Sequence, residues 1–421
     1  MPRPIESVSA VGATTQRVVT LDVARGFALF GILITNAAVL TGILSSDGPT
    51  TPMRLWTHAG PVDRVTDAVV EALFQGRFYL LFAFLFGYSF TLQMEAARRA
   101  GASGSMRMLR RCCALFLIGA AHALLLWVGD ILTLYAMLGL ILLLLRGIRP
   151  SVAVGAGVVL FVAFSLLAFL PEGATDWSTW LLLPEMRSGY AGGALDTLAV
   201  QLDVAPRFVR MTWLGQGATS LALFLLGMAA GKNGLLQDAE RVRRWTPFVL
   251  YVGFGVGLPV SAVTFTDVAG IGSAPANWSG VQQLVNPLMT FAYLALVIRL
   301  AQTPRCAAAI GWLAPIGRMS ASHYIAQSVV LMVLYSGYGP ALAGRVPAPV
   351  VIALGVLTFG SLGVASRWWL ARHAYGPVEW CLRAATYARI PQWKRDSPPY
   401  GQRPAFDEER ADFSQDRNES V

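Results

Sequence analysis

Residues 114–129 read ALFLIGAAHALLLWVG, and residues 151–170 read SVAVGAGVVLFVAFSLLAFL. Each run approaches the roughly 20 consecutive apolar residues that a helix needs to cross a bilayer. Lipid offers the backbone no hydrogen-bond partner, so we expect both runs to be helical. Neither run alternates apolar and polar residues as the strands of a membrane barrel do. The two stretches therefore predict an all-α, polytopic membrane protein.

Composition extends this interpretation to the whole chain of 421 residues. Hydrophobic residues make up 55% of the chain, charged residues only 14%, and the mean hydropathy is +0.54. A soluble domain would be about one quarter charged. The apolar runs predict ten transmembrane helices, at residues 26–44, 76–94, 110–129, 131–146, 151–170, 217–232, 246–266, 284–300, 312–335 and 348–368.

The basic residues predict which side of the membrane each end occupies. With ten spans both termini lie on one side, and 25 of the 33 Lys and Arg residues fall on that side, against six on the other. An excess of Lys and Arg marks the cytoplasmic side, so we expect the N-terminus and the C-terminus inside. Because the net charge of +9 is spread in short clusters between spans, we expect the lipid bilayer, and no nucleic acid, as a partner.

The predicted bundle covers residues 26–390. It is preceded by a cytoplasmic segment, 1–25, that is too polar for a signal peptide, and followed by a polar tail, 391–421, that we expect to be disordered. Two outer loops are long, at 45–75 and 171–216. The first contains an amphipathic stretch, VDRVTDAVVEALFQGR. The predicted helix breakers of the second are Pro171, Pro184 and Pro206. Loops of this length usually have a function, such as covering a site, although a tolerated insertion is the alternative.

Three polar residues lie at a similar depth in three predicted spans: Asn36, His122 and His323. Each is roughly 15–18 Å from the inner surface, close to the middle of a ~30 Å hydrocarbon core. Polar groups are unfavourable against lipid, so we expect all three to face a shared polar cavity. The alternatives are structural: an interhelical hydrogen bond for Asn36, a backbone carbonyl partner for His122, and packing polarity for His323.

Asp130 follows His122 in the stretch HALLLWVGDIL, residues 122–132. Eight residues of helix separate the two side chains by about 12 Å, so we expect no direct contact between them. We place Asp130 in a tight turn at the outer surface, either capping the next helix or pairing with Arg77. Asp22 and Arg25 have the i, i+3 spacing of a helical ion pair.

Sequence signatures of soluble enzymes are absent. The chain has no Walker A sequence, no H-E-x-x-H and no G-x-S-x-G. Its four cysteines lack the spacing of a metal site, so we predict no bound metal.

Six ordered motifs make the chain resemble the YeiB family of bacterial polytopic membrane proteins, from about residue 17 to residue 389. The motifs are LDVARGFALFGILITN, GRFYLLFAFLFGYSF, HALLLWVGDILTLYAMLGL, LFLLGMAAGKNGLL, GRMSASHYIAQS and GPVEWCLR. The resemblance implies a multi-pass protein of the bacterial plasma membrane whose C-terminal half is a domain of unknown function. Where the family has a Thr-Asn pair, this chain has Ser322 and His323, so a titratable imidazole replaces an amide.

The family is similar to the transmembrane acyltransferases, which include the lysosomal heparan-glucosaminide acetyltransferase. An asparagine near the active site of that enzyme matches Asn36. The catalytic histidine that follows it there has no counterpart here, because His58 lies too far along the chain. The resemblance therefore implies acyl transfer from a cytoplasmic acyl-CoA, a co-substrate and not a bound cofactor, to a small-molecule, lipid or glycan acceptor.

These considerations leave three hypotheses: a membrane acyltransferase, a transporter that uses the same polar residues, and a scaffold in which none of them matters. For an acyltransferase, His122 is the candidate general base, because an imidazole titrates near working pH, and Asn36 would orient a substrate carbonyl. Asp130 and His323 complete the candidate catalytic residues. The candidate substrate-binding residues are Arg77, Arg318, Gln327, Tyr135 and Trp127. The candidate CoA-binding residues are Arg98, Arg99, Arg110 and Arg111. Homo-oligomerisation is left open by the sequence.

Overall fold

The computed structural model describes residues 6–44, 60–170 and 186–394, and within these ranges the chain is helical with no β-strand. The N-terminal helices are α1 Glu6–Leu44, α2 Pro61–Leu73, α3 Phe78–Arg99, α4 Gly104–Leu125, α5 Leu132–Leu144 and α6 Pro150–Leu166. The middle helices are α7 Met186–Ala191, α8 Ala194–Lys232, α9 Ala239–Val268 and α10 Trp278–Gln302. The C-terminal helices are α11 Pro304–Gly311, α12 Leu313–Arg318, α13 Ser320–Tyr335, α14 Ala348–Arg372 and α15 Pro377–Tyr387.

Eight helical segments of the described chain are long and apolar enough to cross a membrane. This confirms the all-α, polytopic fold predicted from the apolar runs. The other two predicted spans, 131–146 and 312–335, correspond to shorter helices, α5 with 13 residues and α13 with 16 residues. At about 1.5 Å per residue, α5 is only about 20 Å long, less than a ~30 Å hydrocarbon core.

The core is formed around α1, which packs against α3, α12, α13 and α14. The pair α3 and α8 packs especially closely: a Cβ on Gly87 would collide with the Phe224 carbonyl oxygen, and one on Gly227 with the Phe84 carbonyl oxygen. Small residues at such crossings let helix backbones approach within a membrane. By contrast, α6 and α9 are peripheral and leave many large apolar side chains exposed, as expected for helices that face lipid.

The predicted outer loop 171–216 is largely helical where the structure describes it. Residues 194–216 are the first part of α8, whose 39 residues include Pro206 without being interrupted there. Pro206 lacks one backbone donor. This part of α8 nevertheless buries Gln201 and Phe208 against the rest of the protein, and that packing stabilises the helix. The predicted breakers Pro171 and Pro184 lie outside the described residues.

Residues 61–73 of the other long loop form the predicted amphipathic helix, α2. The segment 395–421 of the predicted disordered tail lies outside the described residues, as do residues 45–59.

Candidate functional site

His122 and Asp130 form a buried pair between α4 and α5. The His122 Nδ1 lies 2.9 Å from Asp130 Oδ1, and the two residues are 2% and 0% exposed. The expectation that they would not touch is wrong because α4 ends at Leu125, and the chain then turns back through residues 126–131. Helical spacing therefore does not apply between the two residues.

The turn 126–131 lies inside the bundle, where Asp130 is fully buried. The prediction that placed Asp130 at the outer surface is therefore wrong. The C-terminal end of α5 is the predicted cytoplasmic end. Because α5 is only about 20 Å long, its first residue, Leu132, then lies well short of the opposite membrane surface. Asp130 also caps α5, because its Oδ2 accepts a hydrogen bond of 2.8 Å from the backbone N–H of Thr133. The capping interpretation of Asp130 is thus correct, and the carboxylate serves both neighbours.

Arg77 is not the partner of Asp130, so the predicted ion pair is wrong. The Arg77 guanidinium is 1% exposed and donates to the carbonyl oxygens of Glu71 and Gln75 and to the hydroxyl of Ser261, over 3.1–3.4 Å. These bonds fix the turn between α2 and α3, because Arg77 precedes the first residue of α3.

The electrostatics of the pair favour one tautomer of His122. An ionised Asp130 accepts the proton that His122 carries on Nδ1, which leaves the lone pair on Nε2. Nε2 is buried and has no hydrogen-bond partner among the described residues. Tyr324 packs beside the imidazole, with ring centroids 5.1 Å apart. A histidine held in this way can accept a proton from a hydroxyl or amine that reaches Nε2.

Side chains from other parts of the chain bind backbone carbonyls at the end of α4 and in this turn. Gln201 of α8 donates to the Ala123 carbonyl over 2.7 Å, and Tyr338 donates to the Leu125 carbonyl over 3.2 Å. The Tyr324 hydroxyl donates to the Gly129 carbonyl over 3.3 Å. Unpaired carbonyls at this depth would be costly, so these side chains hold the turn in place. Sequence reasoning missed Gln201 and Tyr324, since nothing in their local pattern points to a partner so far along the chain.

A cavity of about 470 Å³ lies on the predicted outer side of the turn, and we call it the outer cavity. Asn36 and Trp127 line it, as do Gly129 and Ile131 from the turn itself. Its further polar side chains are Thr35, Glu71, Gln75, Tyr79, Thr212, Gln216, Ser279, Gln282, Gln283 and Asn286. The outer cavity is thus rich in amides and hydroxyls, and among the described residues Glu71 is the one ionisable carboxyl group that lines it.

A second cavity, of about 400 Å³, lies on the predicted cytoplasmic side, and we call it the inner cavity. It contains three predicted site residues, Arg111, Arg318 and Tyr135. Asp22 and Arg25 also line it, and their side chains form the predicted i, i+3 ion pair, with Arg25 Nη1 2.9 Å from Asp22 Oδ1.

A thin partition separates the two cavities. Gly129 and Ile131 face the outer cavity, whereas Leu132 and Tyr324 face the inner one. The Tyr135 hydroxyl, from the inner side, donates to the backbone carbonyl of Tyr79 over 2.9 Å. The His122–Asp130 pair is attached to this partition, since Asp130 lies between Gly129 and Ile131 and His122 packs on Tyr324.

The expected shared cavity for Asn36, His122 and His323 is not present: Asn36 lines the outer cavity, whereas His122 lines neither cavity and is buried beside the partition. His323 lines neither cavity. Its Nδ1 lies 3.0 Å from Gln327 Nε2, which also donates to the Leu29 carbonyl over 3.4 Å. Gln327 therefore connects His323 to α1 in the packed core. Three of the predicted CoA-binding residues also lie outside both cavities: Arg98, Arg99 and Arg110.

Comparison with known proteins places the chain in a family. Residues 230–389 match the family described as "Protein of unknown function (DUF418)". Uncharacterized protein YxaH of Bacillus subtilis (strain 168) is 30% identical over 400 residues, which cover 89% of this chain and 95% of that protein. Uncharacterized protein YeiB of Escherichia coli (strain K12) is 26% identical over 392 residues, with 88% and 96% covered. The chain belongs to the YeiB family.

The YeiB-family match extends over the bundle and both cavities, beyond the DUF418 region. An uncharacterized 39.9 kDa protein in an amylase 3' region of Bacillus acidopullulyticus is 26% identical over 395 residues, covering 90% of this chain and 96% of that protein. These relatives are bacterial, and together with the apolar helices they identify a multi-pass membrane protein.

Proposed function

We propose that this YeiB-family protein is a transmembrane acyltransferase of the bacterial plasma membrane. It takes an acyl group from a cytoplasmic acyl-CoA in the inner cavity and passes it to an acceptor in the outer cavity. The observation that carries the proposal is the position of the His122–Asp130 pair, buried in the partition between two cavities on opposite sides. A general base at that position would serve reactants from both sides once the partition admits the reacting groups.

In the proposed reaction, His122 Nε2 removes the proton from an acceptor hydroxyl as its oxygen attacks the thioester carbonyl carbon. The carbon–sulfur bond breaks, and the CoA thiolate leaves and takes up a proton from the imidazolium. The products are the acylated acceptor and CoA-SH. Asp130 holds the imidazole in the required tautomer and stabilises the imidazolium, a role that carboxylates fill in hydrolase triads. Asn36, as the predicted carbonyl-orienting residue, lines the acceptor side of the partition.

The lining of the outer cavity fits an uncharged, hydroxyl-bearing acceptor. Amides and hydroxyls can donate and accept bonds with such groups. The Asn286 Oδ1 and the Trp127 Nε1 are buried in that lining without hydrogen-bond partners among the described residues, so they are available to an acceptor.

Transport is the second candidate function, favoured by the similar volumes of the two cavities, about 400 and 470 Å³, on either side of one partition. A transporter would open the partition to each side in turn and use His122 as a proton relay. Acyl transfer would instead need the partition to admit only the reacting groups.

Inverted membrane vesicles test the proposal, because they expose the predicted cytoplasmic face and enclose outer-face acceptors. Vesicles that contain the protein are supplied with acetyl-CoA labelled in the acetyl group. We expect label in membrane or lumenal material other than CoA, and none with Asp130→Asn. Equal labelling in vesicles without the protein would contradict acyl transfer. Protein-dependent release of intact solute, without label transfer, would favour transport.

A further inference from the structure

The inner cavity contains more positive charge than its own carboxylates neutralise. Four guanidinium groups line it, those of Arg25, Arg111, Arg318 and Arg383, against two carboxyl groups, Asp22 and Glu379. Asp22 is already paired with Arg25, over 2.9 Å. The charge of the cavity therefore depends on Glu379 and on the three remaining arginines.

Glu379 neutralises none of these arginines by direct contact among the described residues. Its carboxylate accepts bonds from the backbone N–H groups of Ala321 and Ser322 over 2.7 and 3.2 Å, and from the Ser322 hydroxyl over 2.5 Å. Glu379 thus caps the N-terminus of α13. Burial raises the pKa of this carboxyl, and its hydrogen bonds oppose that shift.

The remaining three arginines are available to a ligand. Arg111 and Arg318 make no side-chain hydrogen bond or ion pair within the described chain, and the Arg111 Nε is buried without a partner. Arg383 lies over the face of Tyr375, 4.2 Å from its ring centroid, which leaves its N–H edge free to bind in the ring plane. Guanidinium groups bind phosphate oxygens through two parallel hydrogen bonds, and several together favour a ligand with more than one phosphate.

Sorting of positive charge to the cytoplasm accounts for the exposed Arg318, but not for the placement of Arg111. That rule requires only that arginines lie in cytoplasmic loops, where water solvates them. The rule accounts for three exposed arginines that do not line the cavity, Arg98, Arg99 and Arg110. Arg111, by contrast, is partly buried and turned into the cavity from the same helix as the exposed Arg110.

The inner cavity is also polarised along its length. In the predicted topology Arg111 lies one helical turn nearer the cytoplasm than Leu115 on α4. Leu115 lines the cavity together with Phe82, Leu132 and Tyr135, and Leu132 borders the partition. A ligand with phosphates at one end and an apolar group at the other would be oriented with its apolar group toward His122.

We infer that Arg111, Arg318 and Arg383 form a phosphate-binding site for a phosphorylated ligand, which the apolar inner part of the cavity orients. This inference rests on the proposed function, for which it names the residues that hold the donor. The same chemistry is offered by a soluble phosphorylated carrier such as CoA and by the headgroup of an anionic lipid.

Binding is measured without turnover, by the thermal stability of the purified full-length protein in neutral detergent. The probes are CoA, inorganic phosphate and a short-chain phosphatidylglycerol. A ligand that binds only the folded protein raises the melting temperature with its concentration. We expect CoA to stabilise the wild type, and Arg111→Gln to weaken CoA binding by roughly ten- to hundredfold, since it removes charged hydrogen bonds. Arg110→Gln, the matched control one residue away, should bind CoA as the wild type does.

Arg318→Gln and Arg383→Gln repeat the test if Arg111→Gln does not fold, and each should weaken binding. Stabilisation by phosphatidylglycerol but not by CoA, with the same dependence on these arginines, supports the site and assigns it to a lipid headgroup. Equal responses of the wild type and the arginine variants to every probe would overturn the inference. Arginine-dependent CoA binding without label transfer in vesicles would keep the site and remove the proposed acyl transfer.

Discussion

Asp130→Asn separates the chemical role of the buried pair from its structural role. The amide oxygen can accept the bond from the Thr133 N–H, now 2.8 Å, while the amide nitrogen donates to His122 Nδ1, now 2.9 Å from Oδ1. Both hydrogen bonds are kept, but His122 must then carry its proton on Nε2. The variant therefore retains the fold of the turn and loses the free lone pair that a general base needs.

The expected magnitudes differ strongly between stability and activity. Two hydrogen bonds change from charged to neutral, each weaker by about 1 kcal/mol, and removal of a buried charge offsets part of this loss. Unfolding free energy should fall by less than about 2 kcal/mol. Loss of a general base lowers a rate by about 10²–10⁴-fold. His122→Ala is a poorer test, because it leaves the buried Asp130 charge without its partner, at about 3–5 kcal/mol.

The assay compares labelled acetyl transfer in inverted vesicles with the melting temperature of the purified protein. We expect Asp130→Asn to melt within a few degrees of the wild type and to transfer almost no label. Wild-type transfer rates in a well-folded Asp130→Asn would refute the role of His122 as base. Failure of the variant to fold would show instead that the negative charge stabilises the turn, and the catalytic interpretation would lose its main support.

Three further predictions follow from other parts of the fold. Single cysteines are introduced at Ser188, Ser273 or Ser103 in a protein without its native cysteines. An impermeant maleimide applied to intact cells should label the first two and not the third. Any other labelling pattern contradicts the predicted sidedness. Because burial raises the pKa of Glu379 above 4.5, its proton is held more tightly in the folded state, so its contribution to stability is present below pH 4.5 and is lost as pH rises through the raised pKa. Glu379→Gln should flatten that part of the stability profile, measured by melting temperature against pH, and an unchanged slope would rule out this group as its cause. Gly119→Ala would place a Cβ 2.6 Å from the Thr133 backbone nitrogen, so it should push α4 from the start of α5, lower the melting temperature and reduce label transfer; a neutral effect on both would contradict the close packing.

The sequence predicted the helices well because lipid makes the signal simple: long apolar runs must be helical. It also predicted the Asp22–Arg25 pair, whose partners are on one helix. It failed where the relevant distance depends on how the chain turns. The contact between His122 and Asp130 exists because α4 stops at Leu125, and no cap residue announces that end. Likewise, the arginines of the inner cavity come from four separate helices, so their convergence has no local pattern.

The short length of α5 connects the fold to the site. A helix that crossed the whole membrane would place the turn 126–131 at the outer surface, where water would solvate Asp130 and weaken its hold on the His122 proton. With 13 residues, α5 begins inside the bundle, and the first part of α8 packs on the turn through Phe208, whose ring centroid lies 6.2 Å from that of Trp127. Because α5 is short, space remains on the predicted outer side of the turn, and the outer cavity occupies this space. Gly129 and Ile131 of the turn line the cavity. The buried base and the outer cavity thus have one structural cause, so lengthening α5 should abolish both together.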